Sequence, residues 1–147
     1  MKPCRARKGT AIVEFALGSG LLLALFAGTF EIGYTLIQYN KLQTAVSQGA
    51  RYASVIPYDS ATETPSPAFL TAVQNMVLYG APAPGTNPAV SGLTGSDVNV
   101  TMTFTNGVPS SIEVSLAAFP VYALFGSYTL TGKPRVSFPY HGVWAPV

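Results

Sequence analysis

Glu14 is the only ionisable side chain between Lys8 and Glu31 in this 147-residue chain. It lies just before an uncharged run, Phe15 to Phe30, and just after a basic cluster of Lys2, Arg5, Arg7 and Lys8. An ionised carboxylate so placed costs of the order of a few kcal/mol in lipid, less near an interface. Such a residue calls for a partner that offsets the cost. The other reactive side chains are scattered. His141 is the single histidine, in the turn-like sequence Pro139-Tyr140-His141-Gly142, and Cys4 is the single cysteine. One cysteine allows no intramolecular disulfide and no cysteine-based metal site. Asp59, Glu63, Asp97 and Glu113 are separated and polar-flanked, with no evident pair for acid–base work. No nucleophile elbow, phosphate loop or dinucleotide fingerprint occurs. The sequence therefore reads as a non-enzyme, with no cofactor and no metal.

Composition narrows the class. Apolar residues make up 48% and charged residues 10%, against about 25% charge in a soluble domain. This argues against both a charge-rich disordered chain and a freely soluble cytosolic protein. Four of the eight basic residues fall within the first eight positions. From Gly9 onward, four basic residues face six acidic ones. A nucleic-acid face would need a basic cluster on the folded body, so no nucleic-acid partner is expected.

These residues must be positioned by helices and strands that the pattern also specifies. The sixteen residues from Phe15 to Phe30 span about 24 Å as a helix. Including Thr10 to Val13 brings the length up to a hydrocarbon core of about 30 Å. The basic flank predicts an N-in, C-out orientation. A secretory signal peptide would share the basic and apolar regions. It gives only a weak cleavage pattern at Ala27-Gly28-Thr29, however, and has no use for Glu14.

A basic leader ending in Gly9, with Glu14 five residues on and Phe15 next, resembles the processing site of type IV prepilins. The Glu14-Phe15 pair is similar to the Flp/Tad branch of that family. Two further blocks, Glu31-Ile32-Gly33-Tyr34 and Gly49-Ala50-Arg51-Tyr52-Ala53, resemble TadE-like pilus assembly proteins. The likeness covers about residues 7 to 56. Gly18-Ser19-Gly20 stands where many members carry a proline. The resemblance implies cleavage after Gly9 by prepilin peptidase, so that the mature chain starts at Thr10. It also implies the major Flp-type pilin, a TadF-like minor pilin and inner-membrane platform proteins as partners, with membrane lipid. The processing residues are then Gly9, Thr10, Glu14 and Phe15. The assembly residues are Glu14, Glu31, Ala45, Gly49, Arg51 and Ala53. The new α-amino group of Thr10 is positive near neutral pH, and a neighbouring subunit's Glu14 can neutralise it. Glu14, in the first turns, also faces the positive end of its own helix.

Beyond the apolar run, Leu42, Ala45, Val46, Gly49, Ala50, Ala53 and Ile56 keep a helical stripe. Pro57 ends it, which predicts one helix from about Thr10 to Val55. Ala45, Gly49 and Ala53 permit close backbone approach, either to the chain's own sheet or to another subunit's helix. Arg51 is free to pair with Asp59 or Glu113, or to remain solvated.

Ser66 as cap and Pro67 at the first position predict a second helix to about Leu78, closed by Gly80. Residues 80 to 96 form a long loop, either mobile or a contact surface. Val98, Val100, Met102 and Phe104 alternate with polar residues, as do Ile112, Val114 and Leu116. Asn106-Gly107 between them is a hairpin signal that Pro109 is expected to lengthen. Val136 and Phe138 suggest a third strand. Residues 118 to 130 are apolar and aromatic, open to a short helix or an exposed sticky surface.

The expected architecture is α+β, a long N-terminal membrane and stalk helix packed on a small antiparallel sheet, pilin-like. Its divisions are a leader 1–9, a transmembrane segment 10–40 and an extracytoplasmic α+β domain 41–147 that includes the second half of the stalk helix. The expected function is that of a TadE-like minor pilin or pseudopilin in Tad/Flp pilus assembly. Its expected place is the bacterial inner membrane as a single-pass protein, with a periplasmic C-terminal domain and the pilus or cell surface as a further site. The alternative is an uncleaved bitopic protein presenting a small binding module outside the membrane.

Overall fold

Apolar residues without interruption, then apolar residues every three or four positions, produce one continuous helix with two different surroundings. In the computed structural model, which describes residues 8–123 and 125–146, helix α1 spans Lys8–Ala53. At 46 residues it is about 69 Å long. Residues 1–7 of the expected leader, Cys4 among them, lie outside the described residues. The helix runs unbroken through Gly18-Ser19-Gly20, where the Ser19 hydroxyl donates to the Ala16 carbonyl at 3.0 Å. Thr29 does the same toward Leu25 at 2.9 Å, so both hydroxyls are satisfied within the helix, as an apolar environment requires.

The helix ends two residues before the expected Val55. Val55 N–H turns back to the Tyr52 carbonyl at 3.2 Å, an i to i−3 bond, so the last turn tightens before Pro57 redirects the chain. Helix α2 spans Pro67–Tyr79, one residue beyond the expected end. The Ser66 hydroxyl caps it by accepting from Phe69 N–H at 3.1 Å, and itself donates to Asp59 Oδ2 at 2.7 Å. Gly80 closes α2 in the left-handed region, φ 71°, with its N–H on the Met76 carbonyl.

Strands β1 (Val98–Thr105), β2 (Val108–Leu116), β3 (Ala118–Tyr122), β4 (Ser127–Thr131) and β5 (Arg135–Pro139) follow. They form two antiparallel sheets, β1-β2-β5 and β3-β4. Val100 pairs with Val114 and Met102 with Ile112. The buried side of this sheet meets Leu42, Val46 and Ala50 of α1 and Val73 and Val77 of α2 in one core. Val90 and Leu93 join that core, which anchors the far end of the long loop.

One expectation is corrected here, and one left open is decided. The β1–β2 turn is the tight two-residue type, with Asn106 at φ 54° and Gly107 at φ 77°, the signature of a type I′ turn. Pro109 does not lengthen it. The register shifts between Thr103 and Phe104 instead, and this bulge accommodates a residue that has no N–H to give. Residues 118 to 130 contain no helix among those described. Strands β3 and β4 pair as a hairpin, with Phe119 and Val121 buried and Tyr122, Phe125 and Tyr128 exposed, the surface alternative; Leu124 lies outside the described residues.

The carboxy-terminal tail ties the start of the body together. Tyr58 N–H donates to the Val143 carbonyl at 2.8 Å and Ala145 N–H to the Tyr58 carbonyl at 2.9 Å. The Tyr140 hydroxyl lies 2.8 Å from the Ile56 carbonyl and 2.9 Å from that of Val143, donating to one at a time. Burial raises the phenol pKa of both Tyr58 and Tyr140 above the ordinary tyrosine value. His141 is exposed, and its backbone N–H donates to the Ser54 carbonyl, consistent with a turn residue.

Candidate functional site

The first half of α1 leaves its apolar side chains uncovered. Phe15, Leu17, Leu22, Leu23 and Phe26 are each more than 60% exposed. The most apolar eighteen-residue window of this helix has no residue buried in the fold. A core helix of a water-soluble domain would cover such a face. The helix is therefore long and apolar enough to cross a membrane, and its surface awaits a non-aqueous partner.

Gly9 and Thr10 lie in the first turn, both exposed. A Cβ placed on Gly9 would meet nothing within 4 Å, so packing does not require glycine there. Glu14 stands four residues after Thr10, on the same face of the helix. It is exposed, and among the described residues no hydrogen bond or ion pair reaches its carboxylate. The first described turn of α1 holds no acidic residue. Phe15 is exposed beside Glu14.

Glu31 has a different environment. It is 8% exposed, and its Oε2 accepts a hydrogen bond from the backbone N–H of Phe125 at 3.2 Å. Its Oε1 is buried without a hydrogen-bond partner among the described residues. The β3–β4 hairpin thus reaches down α1 to the first charged residue after the apolar run. As expected, α1 passes through residues 40 and 41 without a break, and the hairpin contacts it some ten residues lower.

The small residues are taken up by the chain itself. Ala45, Gly49 and Ala53 are buried. A Cβ on Gly49 would overlap the side chain of Val77 in α2. Of the two uses open to them, the structure shows a seat for the chain's own elements, with Gly49 against α2. Arg51 is exposed and pairs with neither Asp59 nor Glu113. Its guanidinium lies 5.9 Å from the centre of the Phe138 ring, a cation–π distance. Glu113 instead meets Arg135 at 3.3 Å, and Asp59 supports the cap of α2.

The hairpin aromatics were not singled out by residue in the sequence. Tyr122, Phe125 and Tyr128 are 72%, 68% and 57% exposed. The uncharged, aromatic character of 118–130 was their only signal.

Residues 9–51 match the family model described as TadE-like protein. The match takes in Gly9, Glu14, the Glu31 block and Arg51, the positions on which the resemblance rests. It covers the exposed span and most of the seat of the body on α1, and residues 52–147, Ala53 among them, lie beyond it. No curated protein and no solved structure matches the chain.

Proposed function

We propose that this chain is a TadE-like minor pilin or pseudopilin that takes part in assembling a Tad/Flp-type pilus. The observation that carries the reading is the uncovered apolar half of α1, starting at a glycine that packing does not require and holding one unpartnered carboxylate. The family match over residues 9–51 supports the coarser statement, a role in Tad pilus assembly, and that role is structural rather than catalytic.

In this reading the basic flank holds the amino terminus in the cytoplasm, the membrane segment lies within residues 10–40 with its hydrocarbon-crossing part ending near Glu31, and the body lies outside. Prepilin peptidase cuts between Gly9 and Thr10. The α-ammonium so created is a buried charge once subunits associate in lipid, and a neighbour's Glu14 neutralises it. Assembly then exchanges lipid contacts of α1 for contacts with helices of the major Flp-type pilin, a TadF-like minor pilin or the inner-membrane platform.

The intact mass of the full chain, co-expressed with a prepilin peptidase and extracted from membranes, tests the proposal. Loss of residues 1–9 is expected. An undiminished mass would identify an uncleaved bitopic anchor, and loss of nearly thirty residues a secreted protein. A bulky substitution, Gly9→Leu, should abolish the mass change.

A further inference from the structure

The β3–β4 hairpin ends in a patch built from exposed aromatic rings. From Ala117 to Gly132 the chain has no charged residue. Tyr122, Phe125 and Tyr128 point away from the core at 72%, 68% and 57% exposure. On α1, Phe30 and Tyr34 are exposed at the same level. A shallow groove beside Glu31 is lined by Gly28, Ile32, Leu36, Phe125 and Tyr128. A second, on the other side, is lined by Phe30, Tyr34 and Tyr122. The patch is therefore continuous with the uncovered apolar surface of the helix.

Its height is set by helix geometry. Glu31 lies twenty-two residues after Gly9, about 33 Å along the axis, against a hydrocarbon thickness of about 30 Å. With Gly9 at the inner edge of a bilayer, Glu31 and the hairpin tip reach the outer headgroup boundary. Tyrosine and tryptophan concentrate at that depth, where a ring can sit in the apolar zone and its polar edge in water. A two-stranded hairpin cannot go deeper, because its edge N–H and C=O groups would lose water without gaining partners. The Phe125–Glu31 hydrogen bond fixes the tip to the helix at this one level.

We infer that the β3–β4 hairpin is a second membrane contact, seating Tyr122, Phe125 and Tyr128 in the outer phospholipid interface and setting the angle of the body to the bilayer. The occupant of the patch is lipid, because the patch is uncharged and extends the face that α1 offers to the membrane. The inference rests on the reading of α1 as a membrane span.

The test uses the full chain in a Cys4→Ser background, with single cysteines at Leu23, Thr101, Phe125 or Tyr128 carrying a nitroxide. Each protein is reconstituted in vesicles of phosphatidylethanolamine and phosphatidylglycerol. Collision of the label with oxygen, which favours lipid, is compared with collision with a water-soluble nickel chelate. The label at 23 reports the span, and that at 101, on an exposed position of β1, reports water. The labels at 125 and 128 are expected to fall between these two, with nickel collision severalfold below that at 101. Nickel accessibility at 125 and 128 equal to that at 101, with 23 still in lipid, would overturn the inference alone. Water-like behaviour at 23 would overturn the span and the inference together. Shielding of 125 and 128 from both reagents, with spin–spin broadening that vanishes on dilution with unlabelled protein, would replace lipid by a second copy of the chain.

Discussion

The backbone N–H of Phe125 donates to the Glu31 carboxylate at 3.2 Å across ninety-four residues of sequence. This bond joins the tip of the β3–β4 hairpin to the end of the apolar half of α1. A hydrogen bond to a charged group contributes about 1.5–3 kcal/mol. Glu31→Ala should therefore raise amide exchange in Ser127–Thr131 and at Phe125 by about tenfold or more, leaving β1 and β2 protected. Glu31→Gln keeps an acceptor oxygen and should recover most of the protection. Unchanged exchange in the alanine variant would show that the bond does not hold the hairpin.

Glu14 tests the assembly chemistry. Glu14→Ala should still insert, and more easily, because lipid disfavours the carboxylate. Cleavage after Gly9 should continue at least in part. Joining should fail, because an uncompensated buried charge costs about 3–5 kcal/mol, enough to lower incorporation by two or more orders of magnitude. Glu14→Gln should behave like alanine if charge is what matters. Crosslinking to pilus partners and surface fibre counts measure this, and wild-type values in both variants would leave Glu14 as an ordinary anchor residue.

Gly49 and Gly33 separate two uses of glycine within one helix. A Cβ on Gly49 overlaps Val77, whereas one on Gly33 meets nothing within 4 Å. Gly49→Ala should destabilise the body by about 1–3 kcal/mol, read as a lowered denaturation midpoint of the full chain in detergent. Val77→Ala in the same chain should restore part of the loss. Gly33→Ala should be neutral or stabilising by about 0.5–1 kcal/mol. Equal effects at both positions would remove the packing explanation.

Alkaline pH should loosen the body at the junction of Tyr58 and Tyr140. Burial raises both phenol pKa values in the folded state, so the folded state holds these protons more tightly than the unfolded chain. Their contribution is complete below the unfolded value of about 10 and is lost as pH rises through the folded values. The denaturation midpoint should stay flat to about pH 9 and fall above about pH 10. Tyr140→Phe should make that fall shallower. A midpoint insensitive to alkaline pH would mean that neither phenol is held more strongly on folding.

Local patterns were legible because their causes are local. Ser66-Pro67 and Gly80 bound α2 through backbone groups a few residues away. Asn106-Gly107 sets a turn through its own φ angles, and the alternation of Val98–Phe104 and Ile112–Leu116 marks one buried face. The sequence was less informative where one residue's role depends on a distant neighbour. Pro109 was expected to stretch the β1–β2 turn, and only pairing with β1 shows a bulge absorbing it.

The sequence alone determined a long apolar helix with a single early carboxylate, and an α+β body after it, because composition and period act along the chain. Tertiary structure decided the rest. It buried Ala45, Gly49 and Ala53 under the chain's own α2 and sheet, since a close helix contact needs the facing element in place. It drew Arg51 over Phe138 and gave Glu113 to Arg135, choices set by which strands lie side by side. It also turned residues 118–130 into a hairpin and brought its tip to Glu31. Nothing local in that uncharged stretch specifies such a contact, because the carboxylate that receives it lies ninety-four residues earlier.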